Sequence, residues 1–524
     1  MALPRVLHAL FNLLAMVALV DAVWLNHGGD LLNQRYEPVS LINPSTVSRL
    51  KLKWNFTAGR DISATPAIYG GVIFFPSWNG HLYAVNAFNG NLIWDKDLEQ
   101  LTGLTGTGAV VNVNVTVARA TPTIFDNLLI VGIYGPAVVI AVNRFTGELV
   151  WQTQLDSRPR ALITMSGTVL NGYFYVGVSS LEIALSAAQC CTFRGSMVKL
   201  NARNGATMWR TYTIPDNGGN RGGYSGGAIW GSSPSIDTRR DLVYVATGNL
   251  YTAPLEVQRC QEEQNNKTFP NVPETCIGPD VHFDSILAFD MNTGNIRWSR
   301  QLGGYDVWYF ACLTPNNPDC PVGPNRDADF GESPMLISIK VNGTLRDAAV
   351  AVQKSGYAWA LDRTTGEILW STLAGPGGLQ GGGVWGASTD GKNVYTNIVN
   401  DGRVVFRLAP TNRTTNAGAW VALDGNTGDI LWTTANPSND TSNGPVTLVN
   451  GVLFAGSVAS QGPLYAMDAD TGKILWSVDT GATIYGGVSS SYGCIYLGNG
   501  YTVGLARFRP TWTAGTSMYA FCIS

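Results

Sequence analysis

Glu182, in GVSSLEIAL, and Asp306, in GGYDVWYF, stand among apolar residues, where an unpaired carboxylate costs several kcal/mol. Groups kept at such a cost serve as bases that take a substrate proton, or as oxygen ligands to a hard cation. Trp230, in GGAIWG, offers an indole face large and polarisable enough to stack on a flat ring. Eight cysteines group by proximity, Cys190 with Cys191, Cys260 with Cys276, Cys312 with Cys320 and Cys494 with Cys522, as in chains from oxidising compartments. Other chemistries lack their residues. No Gly-x-Gly-x-x-Gly opens a βαβ unit, and the glycines around Ser225 lack the strand-to-helix context of a nucleophile elbow. A net charge of −3 with no basic run excludes the phosphate-neutralising patch that nucleic acid requires.

The elements that must position these residues are repeats. HLYAVNAFNGNLIW ends at Trp94, VVIAVNRFTGELVW at Trp151 and SMVKLNARNGATMW at Trp209. SILAFDMNTGNIRW, YAWALDRTTGEILW, AWVALDGNTGDILW and PLYAMDADTGKILW follow, ending at Trp298, Trp370, Trp432 and Trp476. Each copy is a strand, a turn carrying Asn-Gly or Thr-Gly, and a second strand capped by tryptophan. Further apolar stretches such as NLLIVGI and LVYVATG precede the hairpins, giving about four strands per repeat, the content of a propeller blade. Sixty glycines and only 14% charged residues agree with an all-β chain.

An eighth copy is split. SMYAF, Ser517 to Phe521, begins a repeat without finishing it, and LKLKW supplies a finishing strand at Trp54. The expected fold is an eight-bladed β-propeller whose ring closes by pairing N- and C-terminal strands, which removes a free sheet edge. Cys494 and Cys522 would clamp that closure. Spacings between the ending tryptophans are 40, 57, 58, 89, 72, 62 and 44 residues, so the longest loops fall where Cys260–Cys276 and Cys312–Cys320 lie.

The repeat tail A-x-D-x-x-T-G-x-x-L-W resembles the tryptophan-docking motif of quinoprotein alcohol dehydrogenases, eight-bladed propellers that use pyrroloquinoline quinone. The segment from Trp24 to Trp54, with its Arg-Tyr-x-Pro, resembles that family's N-terminal signature. The likeness covers essentially the whole mature chain, and QCCTFRGS is most similar to the polyvinyl alcohol dehydrogenase branch. Non-catalytic assembly scaffolds of bacterial outer membranes carry the same repeat, so the residues between the repeats decide function.

The resemblance implies a role for each of them. Glu182 and Asn249 match ligands of a Ca²⁺ ion. Asp306 matches the carboxylate that serves as base and reaches the metal, although the flanking His and second Asp of that motif are Tyr305 and Tyr309 here. Lys354 matches the cation on the quinone oxygens, Arg119 an arginine on its carboxylates, and Thr164 and Ser179 hydroxyls beside it. Trp230 matches the floor of the cofactor sandwich, and Cys190–Cys191 the vicinal disulfide that forms its ceiling. In the family's alcohol dehydrogenases that pair precedes the acidic ligand by a blade; here it follows Glu182 by eight residues. Fused-cytochrome members carry Cys-x-x-Cys-His, which is absent here, so no c-type haem and a separate electron acceptor are expected.

Arg5, the apolar stretch Val6 to Val20 and the small-residue site ending at Ala22 read as a signal peptide over residues 1–22. This leaves 23–524 as a single propeller, secreted or in the secretory lumen, with no membrane span after cleavage. Six sequons, at Asn55, Asn114, Asn266, Asn342, Asn412 and Asn439, suit that route. Two functions remain in view. One is a dehydrogenase that oxidises a small or polymeric alcohol by hydride transfer to Ca²⁺-bound quinone. The other is a propeller that keeps the central pocket without redox function, as a ligand- or protein-binding module or a non-redox enzyme.

Overall fold

The computed structural model describes residues 23–108, 110, 113–263 and 275–524. The expected signal peptide over 1–22 and the Asn266 sequon lie outside them. Seven blades of four antiparallel strands follow one another as blades 1 to 7, over residues 67–97, 123–156, 168–212, 235–301, 335–373, 388–435 and 447–479, and Ala161–Leu162 adds a fifth strand to the sheet of blade 3. Two short helices, Leu98–Thr102 and Leu255–Glu263, are the only α-helices among the described residues. No helix there is long and apolar enough to cross a membrane.

Blade 8 is the split copy. Strands Ser489–Ser491, Cys494–Gly498 and Ser517–Ile523 are completed by Leu50–Thr57, which pairs antiparallel with the last of them. Cys494 lies opposite Cys522 on neighbouring strands and is bonded to it. The other three disulfides also join the cysteines that proximity paired.

The repeated tryptophan and glycine have one physical explanation. Seven of the ending indoles, from Trp54 to Trp432, donate Nε1–H to a turn carbonyl of the next blade at 2.9–3.1 Å. The same indole lies over the glycine of that turn. Gly472 adopts φ +69°, and a Cβ there would meet the Trp432 ring at 2.5 Å, so both conformation and contact demand glycine. Trp476 lacks such a bond, because the turn it would reach is the one divided between the two ends of blade 8.

Residues 24–37 form a strap across the blades' first strands. Trp24 bridges Ile68 of blade 1. Leu25 O accepts from Ile124 N of blade 2, and Asn26 Nδ2 donates to Thr168 of blade 3. Leu31, Leu32, Gln34 and Arg35 then accept from Ile236, Leu336, Thr389 and Leu448, in blades 4, 5, 6 and 7. Tyr36–Glu37 adds a parallel strand to blade 7. The guanidinium of Arg35 is fully buried and is held by Val446 O, Thr447 Oγ1 and His27 O, which accounts for the arginine of the Arg-Tyr-x-Pro segment.

Candidate active site

A cavity of about 610 Å³ is lined by segments from all around the ring, from Arg119 and Thr164 through Asn249 and Lys354 to Trp385 and Tyr501, and therefore sits on the axis. Its volume falls in the range of small-molecule sites. At its floor one ammonium meets two carboxylates. Lys354 Nζ donates to Asp327 Oδ1 at 2.9 Å and to Asp329 Oδ2 at 3.2 Å. Asp329 also accepts from Trp230 Nε1 at 3.1 Å and from the Asn249 backbone N–H at 2.6 Å. One carboxylate thus fixes the lysine, the indole and the start of the Asn249 segment.

Burial acts against the charged ammonium, but Asp327 and Asp329 outweigh it and hold the Lys354 pKa above the ordinary lysine value. Burial, joined by the Asp329 carboxylate, pushes Asp327 upward against the pull of Lys354. With both acids ionised the trio carries one net negative charge.

The remaining wall is aromatic and cationic. Trp230 stands edge-on to Trp385, with centroids 4.9 Å apart. The Arg119 guanidinium covers the Trp385 ring at 3.9 Å, an arrangement that fixes the cation while leaving its edge to hydrogen-bond. Thr164 Oγ1 donates to Trp230 O at 2.7 Å, and Ser179, next to last in the strand Tyr173–Ser180, lies on the cavity wall. Asn249 donates its amide to Leu250 O and Trp308 O, while its Oδ1 is buried and accepts from no group among the described residues.

Arg119, Thr164, Ser179, Trp230, Asn249 and Lys354 are therefore brought to one cavity, and four expected residues are not on its wall. Glu182 accepts from Thr192 N, Thr192 Oγ1 and Phe193 N at 2.6–3.1 Å, so its carboxylate ties down the loop after the cysteine pair. Asp306 accepts from the backbone N–H groups of Arg326, Asp327 and Ala328 at 2.6–3.2 Å, which anchors the segment that presents Asp327. Burial raises Asp306 to about 6, and the buried Asp284 beside it is pushed well above the usual carboxylate range by burial and by Asp306. The joined Cys190–Cys191 lies in an apolar cluster with Ala228 and Tyr251, against which Trp230 packs. Tyr309, in place of the motif's second Asp, donates to Asp319 O inside the loop stapled by Cys312–Cys320.

Sequence reasoning missed Asp327 and Asp329. Their signal is Asp-Ala-Asp, two acids one residue apart in the loop after the Cys312–Cys320 staple, where Asp327 adopts a left-handed φ of 55°.

The class these features define is an eight-bladed β-propeller with an indole, cations and paired acids on one axial cavity. Residues 24–376 match the PQQ family described as glucose/ethanol/alcohol dehydrogenase, β-propeller domain, and the chain belongs to that family. Residues 354–506 match the family of outer membrane protein assembly factor BamB. The chain is similar to a polyvinylalcohol dehydrogenase of a Pseudomonas species, 29% identical over 72% of this chain and 55% of that protein. It is also similar to one of Sphingopyxis sp. (strain 113P3), 28% identical over 90% and 71%. This chain thus spans little more than half of the first relative's length. Quinohemoprotein alcohol dehydrogenase from Comamonas testosteroni shares the fold, with TM-score 0.72 and 20% identity over 97% of this chain and 81% of that one. BamB from Moraxella catarrhalis shares it less closely, with TM-score 0.51 and 14% identity over 90% and 99%.

Proposed function

We propose that the protein is a secreted quinoprotein dehydrogenase that oxidises an alcohol and passes electrons to a separate acceptor. The observation that carries this reading is the Lys354, Asp327, Asp329 and Trp230 constellation, which joins a stacking face to a lysine-bound carboxylate in one cavity. The residues fit a planar aromatic acid: Trp230 supplies a face, and Arg119 and Lys354 supply donors for its oxygens, with Thr164 and Ser179 beside them. A Ca²⁺ ion fits at Asn249, whose buried, unpartnered Oδ1 is the donor a hard cation takes; Glu182 and Asp306 are its further candidate ligands, each already engaged by backbone N–H groups.

A bound quinone, held by Trp230, Arg119 and Lys354, would supply a hydride acceptor, and a cation at Asn249 would supply polarisation. The chain's own residues do the rest. Lys354 holds Asp327 through Oδ1, leaving Oδ2, which accepts from no group among the described residues, to take the hydroxyl proton. Asp306 keeps Asp327 in position through the 326–328 backbone. This reading moves the base from Asp306 to Asp327, because Asp327 lines the cavity whereas Asp306 does not and is engaged by three backbone N–H groups. The sequon residues Asn55, Asn114, Asn342, Asn412 and Asn439 are all exposed, which supports the secretory route.

A binding propeller without redox function is favoured by one observation, the engagement of both Glu182 and Asp306 by backbone donors. Absorption spectra of the purified protein with Ca²⁺ and quinone added, followed by dye reduction with an alcohol, separate the two. A bound chromophore with dye reduction supports the dehydrogenase. Binding without reduction supports the second reading, and absence of binding removes the quinone from both.

A further inference from the structure

Two short turns from distant parts of the chain meet at the mouth of the cavity. Phe310–Leu313 is held by the Cys312–Cys320 staple, and Gly504–Phe508 belongs to the last connection of blade 8. Phe310 packs edge-on against Phe508 at 6.2 Å and against Trp308 at 5.7 Å. Phe508 is 48% exposed, Leu313 43% and Leu505 39%, whereas Asn249 and Asp327 on the floor are buried. The result is an apolar collar around the entrance, continuous with a polar floor.

Two arginines stand in that collar, and they differ. Arg509 lies 3.4 Å from Asp401. Arg507 covers the Phe508 ring at 4.4 Å and approaches Phe310 at 5.8 Å, and no carboxylate among the described residues lies within ion-pair distance of it. A guanidinium that packs its face on aromatic rings keeps its N–H edge for an anion.

We propose that this mouth selects alcohols that carry a carboxylate: the apolar body of the substrate lies in the collar of Phe310, Leu313, Leu505 and Phe508, its carboxylate meets Arg507, and its hydroxyl points to the floor. The assignment rests on reading the cavity as an alcohol site and adds the substrate class. The collar is concave and holds one unpaired cation, which suits a small monoanion. An anionic membrane would need a cluster of cations.

The test uses the full chain and reads binding without turnover. Calorimetric titrations compare 4-(hydroxymethyl)benzoate with its uncharged counterpart 4-(hydroxymethyl)benzamide, before and after saturation with quinone and Ca²⁺. One charge-assisted contact predicts about tenfold tighter binding of the carboxylate. That preference should vanish in Arg507→Gln, and Phe508→Ala should weaken both probes. Arg507 is exposed, so its loss leaves the fold intact. Equal binding of the two probes, binding of neither, or a preference that survives Arg507→Gln overturns the proposal. So does displacement of the carboxylate probe by quinone, which would assign Arg507 to the cofactor. A preference retained without dye reduction upholds the mouth's selectivity and sinks only the dehydrogenase reading.

Discussion

Lys354 shares its ammonium between Asp327 and Asp329, and it reaches Asp327 through one oxygen only. Asp327→Asn keeps the size and the contact to Lys354 while removing the proton acceptor. Dye reduction should fall by about 100-fold or more, with quinone binding retained; unchanged turnover would return the role to another acid. Asp306→Asn exchanges an acceptor of three backbone N–H groups for one with a donor end, so it should lower stability by about 1–3 kcal/mol. Asn249 makes a separate prediction. Added Ca²⁺ should raise the melting temperature of the wild-type protein by mass action, and Asn249→Ala should abolish that rise; equal shifts in both proteins would take Asn249 out of the cation site. The sequence marks Asp306 readily because it follows a recognisable motif. Which acid faces the axis depends on the path of the stapled loop between Asp306 and Asp327, and no local pattern encodes that path.

At the scale of the blade, the docking tryptophans are energetically unequal although the sequence writes them alike. Trp432 is buried and donates to Ala469 O at 2.9 Å; Trp476 is half-buried and packs on Phe521 without a turn to dock on. Trp432→Phe loses packing, loses the bond and strands a carbonyl, at a cost of about 1–3 kcal/mol, whereas Trp476→Phe should cost clearly less. Denaturant melts of the two variants measure the difference, and equal losses would mean that docking contributes nothing beyond packing. The blades were legible because hairpin periodicity and the Asn-Gly or Thr-Gly turn repeat seven times. The strap was not, since residues 24–37 have no periodicity of their own and take their conformation from the strands they cross.

Across the whole molecule, buried acids set the response to pH. Burial pushes Glu332 from 4.5 up to about 7, against two backbone N–H groups and Arg35. A raised carboxyl pKa contributes stability that is fully present below the unfolded value and lost as pH rises through the folded one. The melting temperature should therefore fall between pH 5 and pH 8, with Glu332 contributing on the order of 3 kcal/mol; a rise over that interval would contradict the assignment. Deleting residues 517–524 removes the strand that pairs with Leu50–Thr57 and the Cys494–Cys522 clamp, and should lower the melting temperature markedly. The strap has a consequence for how such a ring changes over time. Its fourteen residues reach blades 1 to 7 in order, and its buried Arg35 is held by Val446 and Thr447 at blade 7 and by Val488 at the start of blade 8. It acts as a gauge of blade number: a duplicated or lost blade would leave the gauge too short or too long, so this ring can vary its loops freely but not its count.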